Sequence, residues 1–246
     1  MKEQLTILIP TSPIPSHPST AILDETISNI RKYTDARIVI MADGIHPSLN
    51  HRELDYRKYI DNIGDALFEK KYGNCNLVLF NEHSHQSIMT SIVLEGEVFS
   101  PLIMFCEADT SPIGEIPFNE ICNLVKQSSE INYVRFNIFD RILPEHEYLM
   151  LDRNPQTVGG IPITRTIQWS QRPHIAKTEW YKKILQDYFS PLERMMIEDR
   201  MHGIVIESYK EYKRDLFGLA IYTPEGNQLR SYHADGRGSD KKIIGE

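Results

Sequence analysis

Apolar and polar positions alternate in two rhythms along the first half of the chain. Short, nearly continuous apolar runs occupy residues 5–9, 37–41, 76–80 and 102–106. Runs of this length, closed by turn-forming residues, predict strands covered on both faces, as in a parallel sheet. Between them the apolar residues recur three and four apart: Ile22, Leu23, Ile27, Ile30 and Tyr33 after the capping candidates Ser19 and Thr20. The same spacing gives Leu54, Tyr59, Ile63 and Leu67 within 50–72, and Ile88, Ile92, Val93 and Leu94 within 84–99. Each set lies on one face of a helix. The alternation predicts βαβ units and an α/β fold with helices on both sides of a parallel sheet.

Beyond residue 110 the rhythm changes. Residues 119–129 read as a short helix, 133–139 as a half-exposed strand, 159–162 (Gly-Gly-Ile-Pro) as a turn and 164–169 as another strand. Helices are expected over 179–188 and 191–201, the second carrying Glu198 and Asp199. The tail ends rich in glycine and charge. No internal repeat, low-complexity block or linker divides the chain, so a single domain over 1–246 is expected.

Composition narrows the class. With 246 residues, 41% of them hydrophobic and 25% charged, the chain is long enough for one substantial core. A net charge of -7 argues mildly against a surface built wholly to grip nucleic acid, though a local basic groove is compatible with it, so a nucleic-acid acceptor is not excluded but not favoured. Cys75, Cys106 and Cys122 show no metal-ligand spacing and read as reduced thiols. The N-terminus lacks a secretory h-region and no stretch approaches a spanning length; the expectation is a cytoplasmic protein without a transmembrane segment.

The fourth apolar run leads directly into Glu107-Ala108-Asp109. Ligands of open α/β sheets bind beyond the carboxyl ends of the strands. Two carboxylates there, two residues apart, point the same way if the backbone stays extended, and they form a hard, oxygen-rich cation site. Mg²⁺ or Mn²⁺ takes one or two protein carboxylates and completes its shell with water and phosphate oxygens, which suggests a nucleoside diphosphate substrate. The other reading of the pair is the start of a polar loop.

The ordered set of motifs resembles the GT-A fold glycosyltransferases, closest in layout to the large family 2 group. Its parts are the opening strand with Pro10 and Thr11, the second strand ending in Ala42-Asp43-Gly44, the acidic Glu107-Ala108-Asp109, the later Glu198-Asp199 pair and His233 near the C-terminus. The resemblance implies a nucleotide-binding half at about 1–113 and an acceptor-binding half at about 114–246. It places Thr11 and Asp43 at the donor nucleoside, and Glu107, Asp109 and His233 on Mn²⁺ or Mg²⁺, the imidazole favouring Mn²⁺. Glu at position 107, where the family more commonly has Asp, leaves Asp109 the firmer ligand. Asp199, or next Glu198, becomes the base that takes the acceptor proton in an inverting reaction. Arg237, Lys241 and Lys242 fold over the diphosphate, and His202 rivals His233 as ligand.

Plainer readings stand beside these: Asp43-Gly44 as a turn, Glu198 and Asp199 on a solvated helix face, the tail as a charged terminus. Trp169 is a stacking platform for an acceptor ring or a core residue. His83 and His85 read as surface or capping residues. The expected donor is a UDP-sugar and the acceptor a glycan or other hydroxyl-bearing molecule. Two alternatives are a noncatalytic nucleotide- or sugar-binding protein of the same fold and a sugar-phosphate nucleotidyltransferase. The latter would carry a glycine-rich loop after the first strand, where this chain has Thr11-Ser-Pro-Ile-Pro15.

Overall fold

The computed structural model describes residues 4–234. Strands β1 (Leu5–Thr11), β2 (Arg37–Ala42), β3 (Cys75–Leu79) and β4 (Leu102–Phe105) are parallel, in the order β3-β2-β1-β4. Helices α1 (Ala21–Arg31), α2 (Glu53–Phe68) and α3 (His85–Gly96) connect them. Because side chains alternate across a strand, Ile7, Ile9, Ile38 and Ile40 pack with α1 and α2, while Leu8, Val39 and Met41 pack with α3. The sheet is therefore buried on both faces, as the apolar runs predicted.

Two helix faces are rotated from the expected ones. The inward residues of α2 are Tyr56, Tyr59, Ile63 and Ala66, and Leu54 is 83% exposed. On α3 the inward residues are Met89, Val93 and Leu94, with Ile92 53% exposed. Each observed set obeys the helical period, and the misplaced residues lie off the face that the period defines.

The second half extends the same sheet rather than starting another. Strand β9 (His174–Lys177) runs antiparallel between β4 and β6 (Tyr133–Phe136). β10 (Leu219–Tyr222) follows parallel to β6, and the antiparallel strands β8 (Ile161–Arg165) and β7 (Gln156–Val158) close the edge. Gly159 and Gly160 turn between β7 and β8 with positive φ angles of 58° and 83°, a conformation glycine adopts without strain. The sheet is thus mixed, not wholly parallel. β6 is buried throughout, instead of half exposed, because it sits between two other strands and under α4 (Phe118–Gln127).

Helix α5 (Thr178–Tyr188) appears where expected. The following helix does not: residues 191–196 are irregular, and α6 spans Ile197–Tyr212. A separate two-stranded ribbon pairs β5 (Thr110–Pro112) with β11 (Ser231–His233). No helix of the described residues is long and apolar enough to cross a membrane. Arg237, Lys241 and Lys242 lie outside the described residues.

Candidate active site

A cleft of about 680 Å³ opens at the carboxyl ends of β1, β2 and β4. Its floor follows from the backbone beyond β4. The amides of Cys106 and Ala108 donate to the carbonyls of Leu8 and Pro10 (3.0 and 3.2 Å), so the chain keeps following β1 past the last strand residue. Thr110 N then donates to Glu107 O (3.1 Å) in a turn that presents Glu107 and Asp109. The register of β5 with β11 sets Thr110 opposite His233, and Ala234 N donates to Asp109 O at 2.7 Å.

Residues 124 positions apart in sequence are thereby assembled into one group: Glu107, Asp109 and His233 offer ligand atoms within 4.8 Å of one another. His233 Nδ1 lies 3.8 Å from Asp109 Oδ1 and 3.0 Å from Thr110 Oγ1. Burial, and then the neighbouring Asp109, push the Glu107 carboxyl up to about 7. The His233 imidazole is raised, chiefly by the Asp109 carboxylate beside it and against the opposing effect of burial. A buried carboxyl that resists ionisation beside a second carboxylate is what a bound cation relieves. Two oxygens and an imidazole nitrogen suit Mn²⁺. The residues fit a divalent ion, whereas His202 points elsewhere, its Nδ1 lying 3.3 Å from Trp169 O.

At the other end of the cleft stand Thr11 and Asp43. Thr11 Oγ1 pairs with the Tyr59 hydroxyl (3.1 Å). The Asp43 carboxylate accepts from the amides of Ser84 (2.7 Å) and His85 (3.1 Å) and pairs with His83 Nδ1 (2.9 Å). Asp43 therefore caps the turn into α3 as well as lining the cleft. His83 and His85, read from sequence as surface or capping residues, line it too. His85 has a left-handed backbone with φ of 60°, unusual for a residue with a side chain.

The facing wall carries His146, Gln168, Gln171, Arg172 and Glu198. Glu198 and Asp199 are consecutive in the first turn of α6, about 100° apart around its axis, so one faces the cleft and the other does not. Glu198 lines it, with Oε2 accepting from Gln171 N at 2.8 Å; Asp199 is exposed and outside the lining. Trp169 is no platform: it is wholly buried against Tyr133, Trp180 and Tyr181. Gln86, Gln171, Arg172 and His146 were missed from sequence. The polar pair Gln86-Ser87 near the start of α3 was a signal for the first of these alone, and its burial shows only in the fold.

No family model matches the sequence, and no curated protein does. Solved structures do match in fold. S. aureus TarS residues 1–349 aligns with a TM-score of 0.56 at 12% identity, covering 95% of this chain and 61% of that one. The mannosyltransferase PcManGT from Pyrobaculum calidifontis, solved with GDP-Man and Mn²⁺, aligns at 0.51 and 13% identity over 92% of this chain and 58% of its own. GalNAc-T7, solved with UDP, GalNAc and Mn²⁺, aligns at 0.56 and 11% identity over 89% and 42%. The chain thus spans between about two fifths and three fifths of the length of these structures. It has the GT-A fold that these proteins share.

Proposed function

We propose that this chain is a metal-dependent glycosyltransferase that moves a sugar from a nucleoside diphosphate donor to an acceptor hydroxyl, with inversion. The observation that carries the reading is the convergence of Glu107, Asp109 and His233 on one point of a cleft whose far wall presents a separate carboxylate, Glu198. Structures of the same fold were solved with GDP-Man and Mn²⁺ and with UDP and Mn²⁺, which supports a donor of that class.

In this reading the nucleoside lies toward Thr11 and Asp43, and a UDP-sugar is the first donor to try. Glu107, Asp109 and His233 hold Mn²⁺ or Mg²⁺, and His233 must be neutral to serve. When bound, the ion supplies positive charge to the departing diphosphate. Arg172, on the cleft wall, adds a cation of the chain's own for the same phosphates, a role first expected of Arg237, Lys241 and Lys242. Glu198, anchored through Oε2 by Gln171 N, takes the proton of the acceptor hydroxyl as its oxygen bonds to the anomeric carbon and the bond to the diphosphate breaks.

A thermal-shift screen with UDP, GDP, CDP and their sugars, each with and without Mn²⁺, tests the donor site. The expected result is a rise in Tm with one nucleotide that requires Mn²⁺ and vanishes in Asp109→Ala. Transfer to a hydroxyl acceptor should then fall about 10²–10⁴-fold in Glu198→Gln. The same fall in Asp199→Asn, with Glu198→Gln active, would return the base to Asp199. Absence of any shift at millimolar nucleotide would replace the transferase with a noncatalytic protein of this fold.

A further inference from the structure

Beneath the cleft a line of buried polar side chains joins its two carboxylate walls. Trp169 Nε1 donates to Gln171 Oε1 (3.2 Å), Gln171 Nε2 to Gln86 Oε1 (2.9 Å), and Gln86 Nε2 to Glu107 Oε1 (2.5 Å). The main-chain N–H of the same Gln171 holds Glu198 Oε2 at 2.8 Å. Gln171 and Gln86 are 2% and 7% exposed and Trp169 is fully enclosed, so the line is shielded from solvent except where Glu107 meets the cleft.

Chemistry fixes the direction of the line. An indole N–H can only donate. Gln171 must therefore turn its carbonyl oxygen toward Trp169 and its amino group toward Gln86. Gln86 in turn must present its amino group to Glu107. Reversal of either amide would set donor against donor or acceptor against acceptor in a buried site, which is costly. The glutamate at position 107 has a longer, looser side chain than aspartate, and this line supplies the restraint that its length removes.

We infer that Gln86 and Gln171, oriented by the Trp169 indole, are positioning residues that hold Glu107 in ligand geometry and couple it to Glu198 across the cleft. The inference rests on the proposed metal-dependent transfer only for its role in the reaction; the relay itself is a property of the chain. Partners of ligating groups commonly contribute 10–100-fold to metal affinity, about the effect expected when this one is removed.

Two measurements test it. The first is the Kd for Mn²⁺ alone, by titration calorimetry, in the whole chain and in Gln86→Leu and Trp169→Phe. Both variants should bind more weakly, Gln86→Leu by about 10–100-fold, while metal-free circular dichroism reports a folded protein. The second needs no metal. The chain has two tryptophans, so ¹⁵N-labelled protein gives two indole resonances, assigned with Trp180→Phe. Glu107→Gln, at the far end of the line, should move the Trp169 indole signal.

An unmoved Trp169 resonance, or a Mn²⁺ Kd in Gln86→Leu within about twofold of the parent chain's, overturns the relay. A chain that shows both effects yet takes no sugar nucleotide keeps the relay and loses the transferase reading. One that transfers sugar with Gln86→Leu unimpaired does the reverse.

Discussion

Asp43 and Gly44 shape, from adjacent positions, the end of the cleft to which the proposed function assigns the nucleoside. The carboxylate of Asp43 gathers the Ser84 and His85 amides and the His83 ring. Gly44 lets the two loops touch: a Cβ there would lie 2.1 Å from the Glu82 carbonyl carbon. Since that contact is with backbone, no rotamer change relieves it. Gly44→Ala should force residues 82–85 away and destabilise the protein by about 1–3 kcal/mol, measured by urea unfolding. It should also weaken nucleotide binding. Unchanged stability would mean that the loops are not packed as described. The Asp-Gly pair, legible from sequence as either turn or nucleoside contact, is here both a cap and part of the cleft lining. Nothing local could reveal this, because Asp43 and its partners are about forty residues apart.

Among the elements, the first turn of α3 and the strand β11 organise the site. Ser87 Oγ donates to Glu193 O (2.7 Å) and accepts from Met195 N (3.3 Å), tying α3 to the segment that leads into Glu198. One turn of helix thus touches Asp43, Glu107 and the approach to α6. β11 brings His233 to the acidic pair, and Arg230 secures it through the buried Asp140 carboxylate and the Glu115 carbonyl. Both charges of that pair are nearly inaccessible, so removing one strands the other. Arg230→Met should destabilise by about 3–5 kcal/mol, and adding Asp140→Leu should recover part of the loss. If the single variant unfolds like the parent in denaturant titrations, the pair does not secure the strand. β11 escaped the sequence reading because three residues carry no period. The hydrophobic rhythms of β1 to β4 were long enough to read.

For the molecule as a whole, one contribution to its acid sensitivity comes from a histidine outside the cleft. His174 is wholly buried, stacked on Phe105 and Tyr181, with Nδ1 2.8 Å from Arg172 O. Burial lowers its pKa from 6.5 to about 3. Its folded value lies below its unfolded one, so the fold must keep the ring neutral. The stability this brings is complete above pH 6.5 and is lost as pH falls toward 3. The loss amounts to about 1.4 kcal/mol per pH unit for one proton. Denaturant titrations between pH 6 and pH 4.5 should show a slope of at least that size, to which His17, lowered by burial to about 4, also adds, and His174→Phe should remove one proton's worth of it. Equal slopes in both proteins would show that the ring does not titrate on unfolding in that range.

By itself the sequence determined the α/β class, the four parallel strands with their helices, and the acidic pair beyond β4. Each of these is written in local spacing: an apolar run bounded by turns has one stable place in a layered sheet, and two carboxylates just past it fall at its edge. Tertiary structure alone decided the antiparallel insertion of β9, which of Glu198 and Asp199 faces the cleft, and the burial of Trp169. It also decided the approach of His233 to Asp109 and the line from Trp169 to Glu107. Those outcomes depend on contacts between residues far apart in the chain. A local pattern can assign a side chain to a face, but which polar partner waits there is set only when the layers close.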